Sequence, residues 1–108
     1  MSNINICIIE GHLGKDPEAK ELKGGVIVAN FTVATSIGRD EKQKTQWHNC
    51  KCFGSMGTEL ALNGKKGDVV SLKGRIEYSQ YNEKWFTNII VDHLHLTKKK
   101  AKSEWEAE

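Results

Sequence analysis

The chain is short of proline, of arginine and of long apolar runs. In 108 residues it has one proline, Pro17, and two arginines, Arg39 and Arg75. No apolar stretch approaches the ~20 residues of a membrane-spanning helix. Residues 1–10 hold no basic segment followed by an apolar one, so no secretion signal is read there. Cysteine is scarce and odd in number: Cys7, Cys50 and Cys52. Three cysteines make no disulfide framework and fit a reducing, cytoplasmic setting. An excess of one charge is missing too. Sixteen basic residues face fourteen acidic ones, a net charge of +2, and that total announces no nucleic-acid partner. The length suits one domain, with no room for a separate catalytic domain beside it.

What is present is period-two alternation between glycine-rich turns. Ile4, Ile6 and Ile8 fall on one side of a first strand, with Asn3, Asn5 and Cys7 on the other. The run from Gly11 to Pro17 breaks that pattern with turn residues, and residues 19–22 make a short strand candidate. Residues 26–36 alternate clearly: Ile27, Ala29, Phe31 and Val33 against Asn30 and Thr32. Residues 38–45 read as a polar hairpin loop and 46–53 as the next strand. Residues 55–62 are the one helix candidate, with Met56 and Leu60 at helical spacing and Asn63-Gly64 as its stop. Strands follow at 69–78 and 85–96, with a polar turn at 79–84. Beyond residue 97 the composition becomes lysine- and glutamate-rich, so the division is a domain at 1–97 and a short flexible charged tail at 98–108. Three strands, a short helix and two more strands predict an all-β fold, a five-stranded OB-fold barrel with one helix between its third and fourth strands.

The strand at 46–53 points to a binding surface. Trp47, Asn49, Lys51 and Phe53 share one face and His48, Cys50 and Cys52 the other. One face must be core. Lysine is almost never fully buried and cysteine readily is, so Trp47 and Phe53 are expected on the open face, flanking Lys51. The alternative buries both aromatics and lets Lys51 snorkel out. Lys73 and Arg75 lie opposite Val70, Leu72 and Ile76 on the next strand, and Asn30 and Thr32 add polar groups. Aromatics interleaved with amines suit a single-stranded nucleic acid. Unpaired bases stack on the rings and the amines neutralise phosphates, without reading sequence. Tyr78, Tyr81, Trp85 and Phe86 cluster at the last hairpin, where some are expected in the core. Tyr81, in the turn, is a second stacking candidate. Trp85 and Phe86 stay open between core and groove; Trp85 joins the stacking set and Lys84 the backbone contacts.

Other chemistry fits poorly. His48, Cys50 and Cys52, with His93 and His95, invite a metal. However, alternate strand residues are about 6–7 Å apart, and zinc sites favour Cys-x(2–4)-Cys on a tight turn. No metal, cofactor or catalytic set is expected.

Several segments resemble bacterial-type single-stranded DNA-binding proteins: Val28-Ala29-Asn30-Phe31-Thr32-Val33-Ala34-Thr35-Ser36, then Thr45-Gln46-Trp47-His48 and Phe53-Gly54. Gly11-His12-Leu13-Gly14-Lys15-Asp16-Pro17-Glu18 is similar to that family's first loop, and Lys73-Gly74-Arg75-Ile76 to its fourth strand. The resemblance implies a barrel that coats single-stranded DNA in replication, recombination and repair, usually as a homotetramer. It assigns base stacking to Trp47 and Phe53, with Tyr81 near a third such position, and a subunit-contact role to His48. Asn49 is read with the polar contacts. Cellular relatives carry a long acidic-tipped tail. The ending Glu104-Trp105-Glu106-Ala107-Glu108 reads either as a reduced partner-recruiting motif or as a solvated end, and the whole as a short, phage- or plasmid-like member. The alternative is a primosomal helper-type OB-fold dimer that bridges protein and DNA. A barrel for an oligosaccharide or peptide is the third reading.

Overall fold

A computed structural model describes residues 2–98. The expected tail, with Glu104, Trp105 and Glu106, lies outside the described residues apart from Lys98. Six strands and one α-helix are seen: β1 (Cys7–Leu13), β2 (Glu18–Glu21), β3 (Ile27–Ile37), β4 (Lys44–Phe53), α1 (Ser55–Asn63), β5 (Val69–Tyr81) and β6 (Lys84–Thr97). A single 3-10 turn, Asp40–Lys42, joins β3 to β4. The strand order is β1-β5-β6-β4-β3, and pairing of His12 and Leu13 with Ala34 and Val33 closes the barrel. The short β2 pairs with the other end of β3. This is the expected five-stranded OB-fold barrel, with the helix between β4 and β5.

The core is built by cross-strand rows. Ile76, Ile89, Cys50 and Phe31 face inward in one row across β5, β6, β4 and β3. Val33, Val70, Leu72 and Cys52 are buried with them, and Leu60 of α1 reaches the same cluster. Opposite Lys73 and Gly74 the β5–β6 register shifts by one, with Asp92 of β6 as the extra residue, and this bulge bends β6. A Cβ at Gly74 would strike the carbonyl of Ile90, so only glycine lets the two backbones come this close.

Two features differ from the sequence-based expectation. The alternation of Ile4, Ile6 and Ile8 marks an extended segment, but the opposite parity is buried: Ile9 and Leu13 are core, while the three isoleucines are 86%, 59% and 76% exposed. Alternation fixes the period of a strand and not which of two apolar faces turns inward; pairing of Ile9 with Leu72 decides it. Likewise none of the four hairpin aromatics is core. β5 and β6 continue to Tyr81 and Lys84, and Tyr78, Tyr81, Trp85 and Phe86 are all exposed. Among the described residues, Phe31 is the only aromatic in the buried core.

Burial acts on the core thiols. Desolvation, with smaller contributions from the neighbouring Cys7 and Cys52, lifts Cys50 from its ordinary 9.0 to about 12; desolvation lifts Cys52 to about 11. Unfolded thiols lose their protons near pH 9 while the folded ones keep theirs. The unfolded state then binds fewer protons, and stability falls as pH rises from 9 towards 11–12, by up to about 1.4 kcal/mol per pH unit per thiol. Urea denaturation at pH 8, 9 and 10 should give a shallower decline for Cys50→Ala than for the parent. Parallel declines would remove the thiol from the account.

Candidate nucleic-acid interface

The outer face follows from the same registers. Arg75 of β5, Ile90 of β6, Lys51 of β4, Asn30 of β3 and Glu18 of β2 form one outward row. Thr32 pairs with Asn49, and Ala34 with Trp47 in the neighbouring rows. Trp47, Asn49, Lys51 and Phe53 therefore share the outer face, with Cys50 and Cys52 buried behind them. Trp47 is 61% exposed and Phe53 42%, so the alternative with both aromatics in the core does not hold. Six residues of strand put them roughly 20 Å apart, too far to grip the same base.

Trp47 is exposed but not loose. A Cβ on Gly14 would lie 2.5 Å from Cζ3 of the indole and 2.8 Å from Oγ1 of Thr32. The ring is thus seated on the bare backbone of Gly14. That backbone is itself fixed: the Gly14 amide donates to the Thr32 carbonyl at 3.0 Å, and the Leu13 amide to the Asp68 carbonyl at 2.9 Å. The Gly67 amide donates to the Leu13 carbonyl at 2.9 Å. The Lys66 amide donates to the Asp16 carboxylate at 2.7 Å, tying the first loop to the turn before β5.

At the hairpin, Asn82 and Glu83 both have positive φ, 49° and 65°, which makes a two-residue turn with Tyr81 paired to Lys84. This register divides the aromatics. Arg75, Tyr81, Lys84 and Phe86 lie on the face that continues the outer row; Tyr78 and Trp85 lie on the other. Trp85 instead borders a cleft of about 270 Å³ where β4 and β6 part, lined also by Trp47, His48, Asn49, Phe86 and Thr87. The structure thus brings together Trp47, Phe53, Tyr81, Asn30, Thr32, Asn49, Lys51, Arg75 and Lys84. Lys73 shares its face of β5 with Arg75 but lies in the next row, which runs from Ile8 of β1 to His93 of β6. His48 is half-buried, its Nε2 2.8 Å from the Thr35 hydroxyl. Phe86, left open between core and groove by the sequence, joins the face, and Asn88 joins it unforeseen. Recognising Asn82-Glu83 as the whole turn would have found them, because that choice alone sets the hairpin register.

Charge on this face is local. Arg75 lies 3.8 Å from Asp92, but both side chains are half exposed, so the pair is weak and Arg75 stays available. Among the described residues no three His, Cys, Asp or Glu side chains gather as metal ligands, and no helix is long and apolar enough to cross a membrane.

Residues 4–97 match the model of the single-strand binding protein family. The chain is 30% identical over 103 residues to a single-stranded DNA-binding protein of Xylella fastidiosa, covering 86% of this chain and 63% of that protein. It is 30% identical to single-stranded DNA-binding protein 1 of Chlorobaculum tepidum, over 86% of this chain and 64% of that one. Against the Neisseria meningitidis protein of the same name it is 34% identical over 87 residues, half of that protein's length. The chain thus spans about three fifths or less of the length of these curated relatives.

Gly14→Ala should push the indole of Trp47 off its seat while leaving the barrel folded. The expected readout is a changed near-ultraviolet circular dichroism band that Trp47→Phe also removes, with an unchanged far-ultraviolet spectrum. An unaltered tryptophan band would mean that the ring does not depend on Gly14.

Proposed function

The chain belongs to the single-strand binding protein family, and from that premise we propose that it binds and coats single-stranded DNA, without strong sequence preference, in replication, recombination and repair. The observation that carries this reading is the pair of exposed aromatics, Trp47 and Phe53, on either side of Lys51. Bases stack on Trp47, Phe53 and Tyr81. Lys51, Arg75 and Lys84 compensate phosphates, and Asn30, Thr32 and Asn49 supply hydrogen bonds along the path. Trp85 meets DNA at the cleft it shares with Trp47 and Asn49, and Lys73 extends the basic surface around the barrel. The protein acts by binding and not by catalysis, in the cytoplasm.

Addition of oligo-dT should quench tryptophan fluorescence, and rising salt should reverse the quench as counterions return to the phosphates. Trp47→Ala should weaken binding by roughly 1–3 kcal/mol, the range for one stacked base. It should do so without unfolding, because the side chain lies outside the core. A parent protein whose fluorescence ignores oligo-dT would end this reading.

The second part of the proposal is assembly of identical subunits, as a homotetramer. From Cys7 to Gly11, β1 is paired with β5 along one edge only, since its pairing with β3 is confined to His12 and Leu13. Beside that open edge stand the exposed Ile4, Ile6 and Ile8. An unpaired edge with an apolar row is a template for another strand, and His48 belongs to the contacts between subunits. The domain at 1–97 is the unit that assembles, and the segment at 98–108, with Glu104, Trp105 and Glu106, is the proposed attachment for partner proteins. Light scattering should give a multiple of 12.1 kDa for the parent and a smaller particle for Ile6→Asp. A monomeric parent would remove the assembly, and a dimer would favour the bridging-module alternative.

A further inference from the structure

We propose that the cleft between β4 and β6 seats one unpaired nucleobase, held between Trp47 on one side and Phe86 on the other. The inference rests on the reading of the chain as a single-stranded DNA-binding protein and adds a base subsite to it.

Four observations lead here. First, β4 and β6 pair in parallel at only two positions, Cys50 with Ile89 and Lys51 with Ile90. Continuing that register towards the hairpin brings Phe86 opposite Trp47, on the same face, where the strands have already parted. Second, the gap is about 270 Å³. Small-molecule pockets run from about 300 to 1,000 Å³, so this space lies at the small end and suits a single ring system. Third, its walls differ in kind. Trp47 is braced from behind by Gly14 and Thr32, so one wall is preformed. Phe86 is 45% exposed on a hairpin beyond the barrel, where its ring adds nothing to the core. Fourth, Asn49 and Thr87 bring an amide and a hydroxyl to the same cleft. A base slid between the rings would have both π faces covered and polar groups at its edge. Aromatic walls with a few polar groups are what a flat heterocycle requires. Because β6 enters the barrel beside Lys51, the phosphates flanking a base seated here run towards that amine.

Binding of two strands of equal length, oligo-dT and its fully abasic counterpart, separates the base contribution from that of the phosphates. The parent should bind both at low salt. Phe86→Ala should weaken oligo-dT by at least about fivefold, the equivalent of about 1 kcal/mol for one base on one aromatic. It should leave the abasic strand unaffected, and Phe86→Tyr should restore oligo-dT binding. A parent that binds oligo-dT while Phe86→Ala binds it equally well overturns the cleft and leaves the family reading standing. Equal loss on both strands also overturns the cleft, since Phe86 would then act through the hairpin's shape. A parent that binds neither strand overturns both.

Discussion

The β3–β4 ladder runs unbroken from Val28–Phe53 to Ile37–Lys44. Side chains alternate faces along it, so one register decision governs ten residue pairs at once. In the observed register Cys50, Cys52, Phe31 and Val33 are buried, and Trp47, Lys51 and Phe53 face out. A slip of one residue would drive the Lys51 ammonium into an apolar barrel, at a desolvation cost that no partner there offsets. The same slip would expose two cysteines that burial holds neutral. The lysine between two aromatics therefore works twice. It forbids the alternative register, and by doing so it holds both rings on the surface.

The remaining elements position parts of that surface. The extra residue in β6, Asp92, shifts the register so that Arg75 joins the row of Ile90 and Lys51, while Lys73, on the same face of β5, falls in the row of Ile8 and His93. The first loop acts at longer range. Gly14 and Lys15-Asp16-Pro17 look like a simple chain reversal, yet Asp16 anchors the Lys66 amide and Gly14 carries the ring of Trp47. A side chain at position 14 would be tolerated by the loop and not by the indole. That glycine serves a residue thirty-three positions further on, and an exposed tryptophan gains a fixed orientation without being buried. In the proposed binding mode, fixing the ring before the ligand arrives lowers the ordering cost of binding.

Much of this was legible in the residues themselves. The succession of elements along the chain, with the helix between β4 and β5, and the division of Trp47, Lys51 and Phe53 from Cys50 and Cys52 follow from alternation and from the reluctance of lysine to be buried. Three things did not follow. Ile4, Ile6 and Ile8 alternate as a core strand would, but alternation has two solutions when the opposite face, Ile9 and Leu13 with Cys7, is apolar as well. The hairpin aromatics looked too many for a surface, because nothing in the sequence marks where a strand leaves the barrel. The seat of Trp47 on Gly14 is a contact between distant segments and has no local signal at all. Local pattern fixes period and turn chemistry, and only packing fixes which face is covered and what an exposed ring leans on.

Net charge is a poor guide to this surface for a related reason. A total of +2 averages over a face whose outward row reads arginine, isoleucine, lysine, asparagine and glutamate across five strands. Ile90, between the arginine and the lysine, is 7% exposed, so the two cations flank a dry strip. Charges beside low-dielectric surface act more strongly than the same charges in open water. The acid that shares the row, Glu18, lies at its far end on β2, separated from Lys51 by Asn30. The aromatics stand towards the ends of β4 and on the projecting hairpin, away from the two cations of the row. Sign and order along the row, and not the sum, make the face suited to a flexible single strand.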